Sequence, residues 1–158
     1  MNPAQEFLKT QKLMAIASAD DRGPWIANVY YGAADDGRLY FVSPEKNRHS
    51  ATILKNPRVA VSVAWFDPKN NKNRKAIQGL GACYPTNNPP EIATGAKLLY
   101  DKFPDLRDIF TVEWIMKNVW GSKIWIIKPT YLKYWDDELY GENESEEVLF
   151  TESSNVNS

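Results

Sequence analysis

The chain has 158 residues, a length that fits one ordinary domain with a sizeable core and makes a second domain unnecessary. Its 43% hydrophobic and 25% charged content matches globular averages, which excludes a fibrous or wholly disordered body. A formal net charge of −1 hides an uneven distribution: residues 45–75 hold eight basic side chains against two acidic ones, and residues 136–158 hold eight acidic and no basic ones. The middle third attracts anions and the C-terminal end repels them.

Six Trp, eight Tyr and six Phe provide flat, rigid surfaces for a core, a subunit interface or a planar ligand. The single cysteine, Cys83, excludes an internal disulfide, and residues 1–12 carry no apolar leader, so the expectation is a cytoplasmic protein. The longest apolar run, residues 59–66, is far short of the roughly 20 residues of a spanning helix. It reads as a buried strand, and no membrane role is expected.

In chain order, residues 3–11 predict a short lead helix with Asn2 as N-cap and Pro3 at the first helical position. Residues 13–19 and 25–31 predict two strands about the turn cluster 20–24, and Asp35-Asp36-Gly37 predicts a turn into a third strand at 38–43. A three-stranded meander is the expected opening. Residues 47–56 predict a helix ended by Pro57, followed by a strand at 59–66, a polar loop at 67–74 and a strand at 75–84. Gly79 and Gly81 within that strand predict a bulge or a close approach, of the kind a ligand requires. Pro89-Pro90 opens a helix reaching Tyr100, with a further turn at 105–110. Residues 122–127 and 131–135 predict the last two strands, joined through Lys128-Pro129-Thr130. The sum is a mainly β, antiparallel barrel with peripheral helices. The stretch 141–158 reads as an acidic C-terminal tail beyond a domain of residues 1–140, with Val148-Leu149-Phe150 pinned on the domain or on a second subunit.

The stretches Gly23-Pro24-Trp25-Ile26-Ala27-Asn28-Val29-Tyr30-Tyr31, Gly37-Arg38-Leu39-Tyr40-Phe41-Val42-Ser43, Arg48-His49 and Asn56-Pro57-Arg58-Val59-Ala60-Val61 resemble, in order and spacing, the pyridoxamine 5'-phosphate oxidase-like family. The resemblance extends through Ile77, Gln78 and Gly81 and fades beyond Tyr84. It implies an FMN-binding split β-barrel that forms a homodimer with the cofactor at the subunit interface. It further implies that Asn28, Val29 and Tyr30 line the flavin ring and ribityl chain, that Ser43, Lys46, Arg48 and His49 surround the phosphate, and that Gln78 approaches the ring.

The residues read on their own agree with a phosphate grip at 43–50. A helix starting near Asn47 offers free backbone N–H groups and a positive dipole end, and Lys46 and Arg48 add charge-assisted donors. A solvated basic loop is the other reading of the same stretch. His49 is the only histidine, so no multi-histidine metal centre is expected, although an axial haem ligand remains an alternative role. Cys83 has no local base, and the paired aspartates fall at turns; no acid–base pair is assigned. Trp125, Tyr134 and Trp135 are expected either as a wall of the ring or of a substrate pocket, or in core or dimer-interface packing.

The true pyridoxamine phosphate oxidases end in a basic, histidine-bearing segment that holds the substrate phosphate, whereas this chain ends acidic, which disfavours vitamin B6 oxidation. The helical stretch 89–120 resembles a bacterial subgroup whose substrates are unassigned. The expected function is therefore an FMN-dependent oxidoreductase on an unidentified small molecule, with a non-catalytic flavin or haem carrier or sensor as the alternative. Overall acidity argues against a nucleic-acid surface.

Overall fold

Asn2 opens helix α1 (Pro3–Thr10): its side chain accepts from the Gln5 backbone N–H while the Gln5 side chain accepts from the Asn2 N–H, a reciprocal cap. The structure, a computed structural model, describes residues 2–118 and 121–150. Strands β1 (Leu13–Asp20) and β2 (Gly23–Tyr30) form a hairpin whose turn uses Gly23 at φ +105°. The short β3 (Gly32–Ala33) and β4 (Leu39–Pro44) form a second hairpin. Helix α2 (Arg48–Lys55) leads into β5 (Arg58–Asp67) and the long β6 (Asn70–Pro85). Helices α3 (Pro89–Lys102) and α4 (Val112–Met116) precede β7 (Ser122–Asp136), and the short α5 (Asp137–Tyr140) precedes β8 (Ser145–Leu149).

All eight strands join one antiparallel sheet in the order β2-β1-β5-β6-β7-β4-β3, with β8 added to β7. The mainly β, antiparallel architecture with peripheral helices is the one expected. Its inner face buries Leu8, Met14, Ile16, Phe41, Ile77 and Trp125 in the main core. A second core forms where α3 and α4 cover the other face of β4 and the start of β7, burying Tyr40, Ile92, Leu99, Phe103, Phe110 and Ile124. Thus β4 is buried on both sides, which fixes the residues that follow it.

Four expectations need correction. The opening meander does not form, because β2 stays at the sheet edge and β4 pairs with β7 instead. The polar loop 67–74 is only a tight turn at Pro68-Lys69, closed by the Lys69 N–H on the Asp67 carboxylate, and β6 starts at Asn70. The stretch 59–66 is half-buried rather than buried, alternating inward Val59, Val61 and Val63 with outward residues that end in exposed Phe66. Residues 122–135 form one strand, not two. Pro129 is accommodated because it faces Gly81, at the register shift between Leu80 and Gly81, and lies where β7 has left β4 but not yet met β8.

That shift is the bulge expected from Gly79 and Gly81, but what approaches closely is the neighbouring strand. A Cβ on Gly81 would stand 2.6 Å from the Lys128 carbonyl oxygen and 3.0 Å from the Pro129 Cα, both backbone atoms. The Gly81→Ala variant should lose about 1–3 kcal/mol of stability. Urea denaturation with an unchanged midpoint would contradict this account of the bulge.

Candidate functional site

The end of β4 and the start of α2 create a polar knot. Ser43 is buried; its carbonyl accepts from the Trp125 indole N–H at 2.9 Å, and its hydroxyl lies 2.7 Å from His49 Nε2. Asn47 Nδ2 and the Ser50 hydroxyl both donate to Ser43 Oγ at 3.3 Å. Ser43 Oγ is thus the meeting point of three side chains at the start of α2. Burial pushes the His49 imidazole below its ordinary value, which favours its neutral form.

Because the Asn47 side chain is drawn into this knot, it makes no cap hydrogen bond to α2, and the first turn of α2 contains no acidic residue. The leading backbone N–H groups of a helix of eight residues are therefore left for an outside acceptor, at its positive end. A cleft of about 340 Å³ adjoins them, formed by Asn28, Val29 and Tyr30 of β2, residues 42–44 of β4, Asn47, His49 and Ser122, and closed by Ile109, Phe110 and Trp114.

The cleft brings together five of the eight residues singled out in the sequence: Asn28, Val29, Tyr30, Ser43 and His49. Lys46 is exposed in the turn before α2, and Arg48 lays its guanidinium 4.0 Å from the centre of the Trp25 ring. Both stand beside the cleft without lining it. Gln78 lies elsewhere, on the outer sheet face, where its side-chain oxygen accepts from Trp135 Nε1 at 3.2 Å. It shares a cross-strand row with Asn28 through Ala15 and Ser62, three strand spacings away, about 14 Å.

Sequence reasoning missed Asn47 as a side chain of the site and missed the apolar wall. Asn47 was legible as a helix start, but its amide turns away from the helix. Ile109, Phe110 and Trp114 come from a segment some sixty residues downstream, with no local pattern that marks them as lining a cleft. Of the three aromatics with open roles, Trp125 and Tyr134 are core and Trp135 is half-buried beside Gln78. Cys83 is buried, and desolvation pushes its thiol up, which leaves it an unreactive core residue. Among the described residues no group of three His, Cys, Asp or Glu side chains could hold a metal ion, and no helix is long and apolar enough to cross a membrane.

The profile of the pyridoxamine 5'-phosphate oxidase family matches residues 3–94, more than half of the chain and the part that contains the polar side of the cleft. The chain belongs to this family. Solved structures agree on the fold. A heme binding protein from Mycobacterium smegmatis aligns with a TM-score of 0.71 at 13% identity, covering 94% of this chain but only 59% of its own length. An FAD-binding protein from Mesorhizobium loti aligns with a TM-score of 0.64 at 16% identity, over 82% of this chain and 87% of its own. HutZ, a heme storage protein from Vibrio cholerae, aligns with a TM-score of 0.63 at 15% identity, over 80% and 87%. No curated protein matches. The family match stops at residue 94, so Ile109, Phe110, Trp114 and Ser122 complete the cleft from outside it.

The buried His49 gives a pH signature. Below its ordinary value of 6.5 the unfolded chain takes up a proton that the folded chain, with its depressed imidazole, does not. Stability is therefore highest above that value and falls as pH drops through the window down to the folded value. Urea melts should show a smaller loss between roughly pH 7.5 and pH 5 in His49→Gln than in the parent. Equal losses would mean that His49 is not the titrating group.

Proposed function

We propose that the protein is an FMN-binding flavoprotein that works as a homodimer, with the flavin phosphate at the start of α2 and the ring in the cleft. The observation that carries this reading is the uncapped N-terminus of α2, whose cap residue is diverted to Ser43, next to a cleft with an apolar wall. Free N–H groups, a positive dipole end and no nearby carboxylate in the first turn suit a phosphate dianion. Arg48 and Lys46 stand at the rim on flexible stems and add charge-assisted bonds once a phosphate is present; Arg48 leaves the Trp25 ring to do so. The half-exposed edge formed by Asn28 and Tyr30, with Phe110 and Trp114 opposite, suits a planar ring with one polar edge.

The position of Gln78 favours the dimer. At about 14 Å from Asn28 along its own sheet, it meets the ring only from a partner subunit. The face that carries it holds a mainly apolar hollow of about 400 Å³, with Ala15, Ala17, Ile26, Ala60, Leu80 and Tyr131 around Gln78, a surface that suits an isologous interface. When bound, the flavin supplies the hydride and electron transfer. The chain's own residues bind and orient it: α2 holds the phosphate, the Ser43 knot holds α2, and Phe110 and Trp114 exclude water from the ring. The cleft offers no acid–base pair, so the reading is an FMN-dependent reductase or oxidase of an unidentified small molecule, not a vitamin B6 oxidase.

The second reading is a haem carrier, favoured by the presence of heme binding and heme storage proteins among the structural relatives. His49 would be its axial ligand, and the engagement of Nε2 by Ser43 stands against it.

Titration of the purified protein with FMN, followed by quenching of flavin fluorescence, distinguishes the two. Tight binding is expected, weakened at least about tenfold, or ~1.4 kcal/mol, by Arg48→Ala. A Soret band on adding hemin, lost in His49→Gln, together with no FMN binding, would replace the first reading by the second. Sedimentation should give a dimer, and Leu80→Glu, which puts a charge on the shared apolar face, should give a monomer with weakened FMN binding. A Leu80→Glu protein that remains dimeric would remove that face from the interface.

A further inference from the structure

A cavity larger than the cleft lies elsewhere in the structure. About 470 Å³ in volume, it lies at the mouth of the barrel between α1, the end of β5, the start of β6 and the end of β7, and shares no lining residue with the cleft. Barrel mouths are among the places where small molecules bind, and the volume falls in the range of such sites. Its apolar surface is aromatic. Phe7 and Tyr134 stack with ring centres 5.2 Å apart, and Trp65 stands on the inward face of β5, only half-buried.

Its polar groups have one sign in excess. Asp136 is 5% exposed and accepts from the Tyr134 hydroxyl at 2.8 Å and from the Leu139 N–H at 3.0 Å; Glu6 lines the opposite wall from α1. The cation present is Lys75, whose ammonium lies 3.7 Å from Asp136, 3.5 Å from Glu138 and 5.7 Å from the centre of the Trp65 ring. Two carboxylates thus face the ammonium, Glu6 adds a third negative charge to the cavity wall, and the ammonium already lies over an aromatic face. A cation between ring faces and carboxylates is attracted by both.

We propose that this cavity is a second ligand site, which takes a small organic cation with an apolar, aromatic body, such as an aromatic amine or a quaternary ammonium. Lys75 is the internal competitor for that position. Its stem is flexible and its head reaches solvent, so a ligand whose body covers Trp65 and Phe7 displaces it and inherits its carboxylates. An anion would meet Asp136 and Glu6 in the cavity wall with only Lys75 in its favour.

Calorimetric titration of the full chain with phenyltrimethylammonium, and separately with benzenesulfonate, tests this. The cation should bind saturably and the sulfonate at least about tenfold more weakly. Glu6→Gln, on the exposed side of α1, and Trp65→Leu should each weaken the cation several-fold, whereas Lys75→Met, which removes the competitor, should tighten it. Circular dichroism of each variant checks the fold, and the Glu6 and Lys75 changes avoid the core. Equal or tighter binding of the sulfonate, weaker cation binding in Lys75→Met, or no saturable heat with the cation would each overturn the proposal. Flavin binding should be unaffected in all three variants, which separates this site from the one proposed in the cleft.

Discussion

One buried serine ties the cleft to the rest of the molecule. The Ser43 carbonyl is fixed by the indole of Trp125, a fully buried side chain in the middle of the main core, and its hydroxyl gathers Asn47, His49 and Ser50 from the first turn of α2. Each such bond contributes only about 0.5–1.5 kcal/mol net, but leaving any of these buried groups unpaired costs more. The helix start is therefore not free to drift, and neither is the set of N–H groups it presents. A site that relies on backbone donors needs this kind of support, because a helix end that moves by an ångström loses the alignment that gives those donors their strength.

The same serine can hold that position because β4 is buried on both faces. Leu39 and Phe41 face the main core while Tyr40 faces α3, so the strand cannot shift register without exposing one set. Its partner is β7, the strand on which the sheet turns. Fifteen residues long, β7 pairs with β6 along one side and with β4 and then β8 along the other. The acidic residues of β8 are placed to match: Glu147 sits opposite Lys133 and accepts from the Tyr131 hydroxyl. Phe150 then packs on the main core and against Gly37. Composition alone assigns this stretch to a solvated tail; the backbone ladder and one aromatic anchor overcome it.

What was legible in the sequence was local. The cap of α1, the hairpin at Gly23, the helix before Pro57 and the bulge at Gly81 each follow from residue types acting on their own backbone. What was not legible was mostly pairing between distant strands. Two strands separated by a turn normally pair, so a meander is the natural expectation after Asp35-Asp36-Gly37, and nothing near Tyr31 announces that β4 will seek β7 some eighty residues later. Pro129 misleads for a related reason: a proline argues against a strand interior unless both neighbours already leave a gap there, and that gap exists only in the assembled sheet. The site divides along the same line. Its polar half, contiguous from Ser43 to Ser50, could be read in one stretch, whereas the apolar wall of Ile109, Phe110 and Trp114 depends on how α3 and the turns after it fold back.

The charge asymmetry of the chain also takes on a different meaning in three dimensions. Much of the basic stretch 45–75 does not act as one patch. Arg48 lies on Trp25, Arg74 pairs with Asp137, and Lys75 pairs with Asp136 and Glu138 at the barrel mouth. The basic end of β6 is thus neutralised by the acidic end of β7, and the uncompensated positive character that remains near the cleft comes from Lys46, Arg48 and the dipole of α2. Positive and negative character end up in separate places on one barrel, the first at a helix start and the second among aromatic rings and carboxylates. A linear count of charges gives each the wrong extent, because opposite charges far apart in sequence cancel where the strands bring them together.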